Sequence, residues 1–113
     1  MAAQQYFLAL DLKDDPALIA EYKVYHQNVW PEIIDSIKSA GITCLDIYNV
    51  SNRLFMVIEA DESFSFEAKS AADAASEVVQ KWETLMWKYQ QAMPGAKPGE
   101  KWVFLEKIFT LPQ

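Results

Sequence analysis

The chain has 113 residues, 51% apolar and 23% charged, a balance that fits one globular domain spanning residues 1–113 with a core that needs no cross-links. Its net charge of −6 repels phosphate backbones and anionic lipid, which excludes nucleic acid and membrane surfaces as partners but not a neutral small molecule. The lone cysteine, Cys44, excludes an internal disulfide framework and points to a reducing compartment, the cytoplasm.

Residues 5–12, QYFLALDL, alternate Tyr6, Leu8, Leu10 and Leu12 against Phe7, Ala9 and Asp11, which predicts a half-buried strand. This stretch is too short for the apolar segment of a signal peptide, no basic region precedes it, and no apolar run in the chain approaches transmembrane length. Asp14 or Asp15 ahead of Pro16 then reads as a helix N-cap. The helix that follows carries a stripe at 18, 19, 22, 25, 26, 29 and 30, until Pro31 ends or kinks it. A second piece, EIIDSIKSA, stops at Gly41. ITCLDIYNV (42–50) and RLFMVIEA (53–60), joined by Ser51-Asn52, predict a hairpin. DESFSFEAKS predicts a short helical turn at most. A long helix is then expected from about 71 to 93, with Val78, Val79, Trp82, Leu85, Met86, Tyr89 and Met93 on one stripe. MPGAKPGE is a loop, and WVFLEKIF (102–109) is the last strand.

The order β-α-β-β-α-β predicts an α+β fold: a ferredoxin-like split β-α-β antiparallel sheet with helices on one face. Period-two sorting puts Leu8, Leu10, Leu12, Leu54, Met56, Ile58, Val103 and Leu105 toward the helices. The other set mixes rings with acids: Phe7, Asp11, Cys44, Asp46, Tyr48, Phe55, Val57, Glu59, Trp102, Phe104, Glu106 and Ile108. Such a face suits either a dimer interface with acids at its rim or a sugar site, since a sugar asks for ring surface plus hydrogen-bond acceptors.

The one histidine, His26, lies one helical turn from Tyr22, so the two side chains share a face. Two readings stand: a core histidine held by its neighbours, or a group that gives and takes protons near neutral pH. No ligand spacing for a metal is present, Cys44 has no basic neighbour in sequence to activate it, and there is no phosphate loop, nucleotide fingerprint or nucleophile elbow. Trp82 falls on the helix stripe, whereas Trp87 falls off it, which suggests an interface or a pocket.

The stretch Tyr22-x-x-x-His26-x-x-x-Trp30-Pro31-Glu32 resembles the signature of the L-rhamnose mutarotase family. The hairpin Asp46-Ile47-Tyr48 with Leu54-Phe55, the segment Gln80-Lys81-Trp82, Met93-Pro94 and the closing Glu106-Lys107-Ile108-Phe109 resemble it in the same order, so the likeness runs along essentially the whole chain. The resemblance implies a homodimer of ferredoxin-like subunits whose sheets pack face to face, a dimeric α/β barrel. It also implies a cofactor-free enzyme that interconverts the α and β anomers of a 6-deoxy-L-hexose. It places the proton-donating histidine at His26, the sugar-binding tyrosine at Tyr22 and the helix tryptophan at Trp82. Glu83 stands where rhamnose-type members carry a second tryptophan, and Leu45 where they carry a strand tyrosine, while Tyr48 is kept. Trp82-Glu83 and KPGEKWV look closer to relatives assigned to L-fucose.

On this reading the catalytic residue is His26, and Tyr22, Trp82, Glu83, Tyr48 and Asp46 bind substrate, with no metal. Ring opening needs an acid at the ring oxygen and a base at the anomeric hydroxyl. His26 is the expected acid; Asp46, Glu83, Glu106 and Tyr22 are candidate bases. Two rival readings are a ferredoxin-like dimeric monooxygenase and a catalytically silent sugar- or metabolite-binding dimer.

Overall fold

The computed structural model describes residues 4–97 and 100–111. Pro98-Gly99 of the predicted loop therefore lies outside the described residues. Strand β1 (Gln4–Leu12) leads into α1 (Pro16–Gln27), whose start is capped by Asp15: the carboxylate accepts from the Ala17 and Leu18 amides, and Pro16 sits where no amide proton is needed. Asn28 closes α1, and Trp30-Pro31 opens α2 (Pro31–Ser39). Strands β2 (Ile42–Val50) and β3 (Arg53–Ala60) form the expected hairpin. Its turn holds Ser51 at φ 53°, the left-handed region that a two-residue turn favours. The Asn52 amide then donates to Leu12 O, and Leu12 N donates back to Asn52 O, tying the hairpin tip to the end of β1.

After β3 the chain departs from expectation. Residues 66–74 form a full helix, α3 (Phe66–Ala74), capped by Ser65. The predicted long helix is instead α3 followed by α4 (Glu77–Trp87), broken where the Ser76 hydroxyl accepts from the Val79 amide and starts a new helix. Tyr89 and Met93 lie past the end of α4. Gln90–Gln91 form a short strand, β4, and the last strand, β5, is confined to Val103–Phe104.

The strand order is β2-β3-β1-β4, with β5 also pairing β1, and every pairing is antiparallel. This is the ferredoxin-like α+β sheet. Residues opposite one another share a face, so the pairing Leu8–Met56, Leu10–Leu54 and Tyr6–Ile58 sets one side of the sheet. Leu10, Leu12 and Leu54 are sealed there under the helices, where Leu12 and Leu54 pack with Tyr22, Ile33, Val79, Trp82 and Met86. The opposite side carries Phe7, Ala9, Asp11, Cys44, Asp46, Tyr48, Phe55, Val57 and Glu59, as expected.

The last strand has the reverse phase. Phe104 opposes Leu8 and Val103 opposes Ala9. Phe104 therefore joins the helix side, its ring 5.1 Å from that of Phe66 on α3, and Trp102 packs against both core clusters. Both alternating sets of this strand are apolar, so alternation alone does not choose between them. Pairing with β1 does.

On the open side, Arg53 forms a two-pronged ion pair with the buried Asp11: Nε to Oδ1 is 2.7 Å and Nη2 to Oδ2 is 3.1 Å. A carboxylate taken out of water in mid-sheet needs such a partner. Gly41, at φ +99°, ends α2 and turns the chain into β2; a Cβ there would lie 2.6 Å from Ser63 Oγ and 2.7 Å from Asp61 Oδ1. Gly41→Ala is expected to cost about 1–3 kcal/mol, read as a lowered denaturation midpoint with unchanged slope.

Candidate active site

The Tyr22–His26 pair sits on α1 facing α4. The rings lie 4.3 Å apart at 32°, a tilted stack. Across from them the Trp82 ring meets His26 at 5.8 Å, Trp30 at 5.0 Å and Tyr25 at 6.3 Å, each nearly edge-on. Their spacing follows from the helix repeat: positions 18, 22, 25 and 26 share one stripe of α1, and 78, 82, 85 and 86 share one of α4. Tyr22 and Trp82 belong to the core, and His26 lies at its margin, half-buried.

One hydrogen bond fixes the state of His26. Nδ1 lies 2.9 Å from the Tyr22 carbonyl oxygen, one turn earlier. A carbonyl only accepts, so Nδ1 carries the proton and Nε2 of the neutral ring holds the lone pair. Among the described residues Nε2 has no hydrogen-bond partner. Burial pulls the imidazole pKa below its usual 6.5, opposed by the Tyr22 carbonyl, so the ring is neutral at physiological pH. Burial also pushes the Tyr22 hydroxyl up to about 12, opposed by Gln90, which keeps that phenol protonated.

The depressed imidazole pKa couples to folding with a definite sign. The unfolded chain binds a proton near pH 6.5, while the folded chain binds it only at lower pH. The stability is therefore complete above the unfolded value and is lost as pH falls below it. Thermal denaturation from about pH 7 to 5 is expected to show a fall in Tm that is smaller in His26→Gln. Equal slopes would remove the burial argument.

The structure does not bring all candidate residues together. Tyr22, His26 and Trp82 form one cluster on the helix side, with Glu83 next in sequence. Asp46 and Tyr48 lie on the open face of the edge strand β2, which is the opposite side of the sheet, and Tyr48 is exposed. Glu106 is exposed beyond the end of β5. Chemistry expected on the open sheet face thus has its only imidazole on the other side.

Glu83 is held by Lys101, whose Nζ donates to Glu83 Oε2 at 2.8 Å and to its backbone carbonyl at 3.3 Å. The same ammonium stands 4.7 Å above the Trp87 ring, which accounts for a tryptophan off the apolar stripe. Neither Lys101 nor Gln90 stood out in the sequence. A buried amide beside a phenol gives no periodic signal, and a lysine in a polar loop resembles any other.

Among the described residues no group of three or more His, Cys, Asp or Glu side chains is placed to hold a metal ion, and no helix is long and apolar enough to cross a membrane. The lone thiol, Cys44, is exposed and carries the carboxylates of Asp46 and Glu59 nearby, which raise its pKa and disfavour the nucleophilic thiolate.

Comparison with known proteins bears on the family of the chain. An L-fucose mutarotase of Xanthomonas campestris pv. campestris is 44% identical over 115 aligned residues, covering 100% of this chain and 92% of that one. An L-rhamnose mutarotase of Shigella flexneri is 31% identical over 108 residues, covering 92% and 96% respectively. The crystal structure of an L-rhamnose mutarotase from Formosa agariphila superposes with a TM-score of 0.70 at 22% identity, covering 96% of this chain and 98% of that one, which bears on the fold. The family model described as L-rhamnose mutarotase matches residues 5–111. A match running from β1 to the C-terminal segment, joined to these relatives, shows that the chain belongs to the L-rhamnose mutarotase family.

Proposed function

We propose that the protein is an aldose mutarotase, an isomerase that interconverts the α and β anomers of a 6-deoxy-L-hexose by general acid/base ring opening at His26. The observation that carries the mechanism is the Nδ1 bond to the Tyr22 carbonyl, which leaves a basic Nε2 at the margin of the aromatic cluster. This favours a different first step from an imidazolium acting at the ring oxygen. Neutral Nε2 takes the anomeric hydroxyl proton, the C1–O5 bond breaks, and the new imidazolium protonates O5. The aldehyde turns about C1–C2 and closes on its other face, with the same transfers reversed. O1 and O5 are both bonded to C1, so one nitrogen can serve both with a small shift. That removes the need for a separate base. Tyr22 stays protonated and cannot fill that role, Glu83 is neutralised by Lys101, and Asp46 and Glu106 lie apart in the subunit.

L-fucose is the favoured sugar. The 44% identity to an L-fucose mutarotase supports it. Saturation transfer between anomeric protons, run with L-fucose, L-rhamnose and other aldoses, tests class and substrate together. Enzyme-dependent exchange is expected, fastest with L-fucose; its absence with every aldose overturns the reading.

We further infer that the enzyme works as a homodimer joined through the open sheet face, in the reducing environment of the cytoplasm. Phe7, Tyr48, Leu105, Ile108, Phe109 and Leu111 are all exposed large apolar side chains in a single subunit, and Ile108 is 87% exposed. A surface of that kind is more than an isolated subunit leaves to water. Sedimentation at micromolar concentration is expected to report a dimer, and Phe7→Asp is expected to shift it toward monomer. A wild-type monomer overturns this part.

A further inference from the structure

We propose that Gln90 binds substrate, its side-chain amide taking up one sugar hydroxyl beside Tyr22. This rests on the mutarotase reading of the His26 site and adds to it a residue that selects which sugar is held.

Gln90 lies on β4 opposite Leu12, so it points to the helix side of the sheet, and it is 5% exposed. An amide has two N–H donors and a carbonyl acceptor. Here Nε2 makes a long contact, 3.5 Å, to the Tyr22 hydroxyl, and Oε1 has no hydrogen-bond partner among the described residues. Turning the amide over lets Tyr22 donate to Oε1 but strands both N–H groups instead. Either way the protein alone does not satisfy this side chain. A buried polar atom without a partner weakens the fold, and an apolar side chain of the same length would avoid that loss. Fold stability therefore does not explain a glutamine at this position.

A hydroxyl group does. It donates through its proton and accepts through its oxygen, which matches an amide oxygen and a phenol proton side by side. Tyr22 connects this polar corner to the imidazole: its hydroxyl meets Gln90, its ring stacks on His26, and its carbonyl holds Nδ1. A pyranose anchored by one hydroxyl at Gln90 and Tyr22 is thereby oriented along the ring stack toward Nε2. A site that hydrogen-bonds a substrate hydroxyl discriminates strongly against the analogue lacking it, because its own groups are then left unpaired.

The test pairs enzyme variants with substrate variants. Wild type, Gln90→Met and Tyr22→Phe are compared by saturation transfer on the preferred 6-deoxy-L-hexose and on its monodeoxy analogues, one ring hydroxyl removed at a time. Gln90→Met is expected to lower kcat/KM on the parent sugar by about 10–100-fold, the loss of a buried hydrogen bond, mostly through KM. For one analogue the wild type and Gln90→Met are expected to be equal, and the same analogue should equalise Tyr22→Phe. The Tm of Gln90→Met should match or exceed that of wild type. A penalty of the same size on every analogue, or none on the parent, overturns the proposal and leaves Gln90 a structural residue. If Gln90→Met does not fold, Tyr22→Phe across the same analogues decides alone. A wild type inactive on every aldose instead removes the mutarotase reading beneath it.

Discussion

Replacing His26 by glutamine is expected to slow enzyme-dependent anomer exchange by roughly 10²–10⁴-fold, the range for a single positioned acid/base group. Glutamine keeps polarity and approximate size but cannot cycle a proton. Asn is the companion variant, so that one of the two retains the fold, which is checked by Tm and by near-ultraviolet circular dichroism of the surrounding tryptophans. The pH profile separates two roles for the imidazole. If neutral Nε2 makes the first move, kcat/KM is flat through neutrality and falls only below pH 6.5, where burial has placed the imidazole pKa. If an imidazolium had to start the reaction, the rate would instead climb as pH dropped through that range. A folded His26→Gln enzyme with full activity would end the assignment.

The second large effect belongs to Trp82. It is 9% exposed and meets the rings of Tyr25, His26 and Trp30. Trp82→Ala is expected to cost about 3–5 kcal/mol, a large share of the 5–15 kcal/mol that holds a typical domain together. The same change removes the wall opposite His26, so activity falls even where the protein is still folded. Trp82→Phe restores a ring of smaller volume and is expected to recover most of the stability. Chemical denaturation gives the first quantity and anomer exchange at saturating sugar the second. A Trp82→Ala variant as stable as wild type would show that the cavity collapses at no cost, against its position in the ring cluster.

These two residues also show how much of the protein was legible beforehand. Tyr22, His26 and Trp82 sit on helical stripes, and the 3.6-residue repeat is the strongest local signal a sequence carries. Placing them on one buried side followed directly. The β2–β3 hairpin and the helix-facing sides of β1 and β3 were equally readable, because Leu8 and Leu10, and Leu54, Met56 and Ile58, recur with the two-residue period of a strand. The α3–α4 break was not: Ala71 to Ala75 are nearly all alanine, and only the Ser76 hydroxyl, a local cap, tells the two helices apart. The phase of β5 was hidden because Trp102, Val103, Phe104 and Leu105 are all apolar. The division of the site between sheet faces was legible in part: alternation along β2 already sorts Asp46 and Tyr48 away from the helices, one of which carries His26. Gln90 needed three dimensions, since its meaning comes from Tyr22, 68 positions away.

The grip of Lys101 on Glu83 has its own consequence. On α4 this enzyme places the anion Glu83 and clasps it with Lys101, a cation from just ahead of β5. Dispersion forces ignore dissolved ions, but a partly wetted charge pair does not: the field decays over about 8 Å at physiological ionic strength. The contact between Lys101 and α4 is thus tuned by the electrolyte around it, where an apolar contact would be fixed.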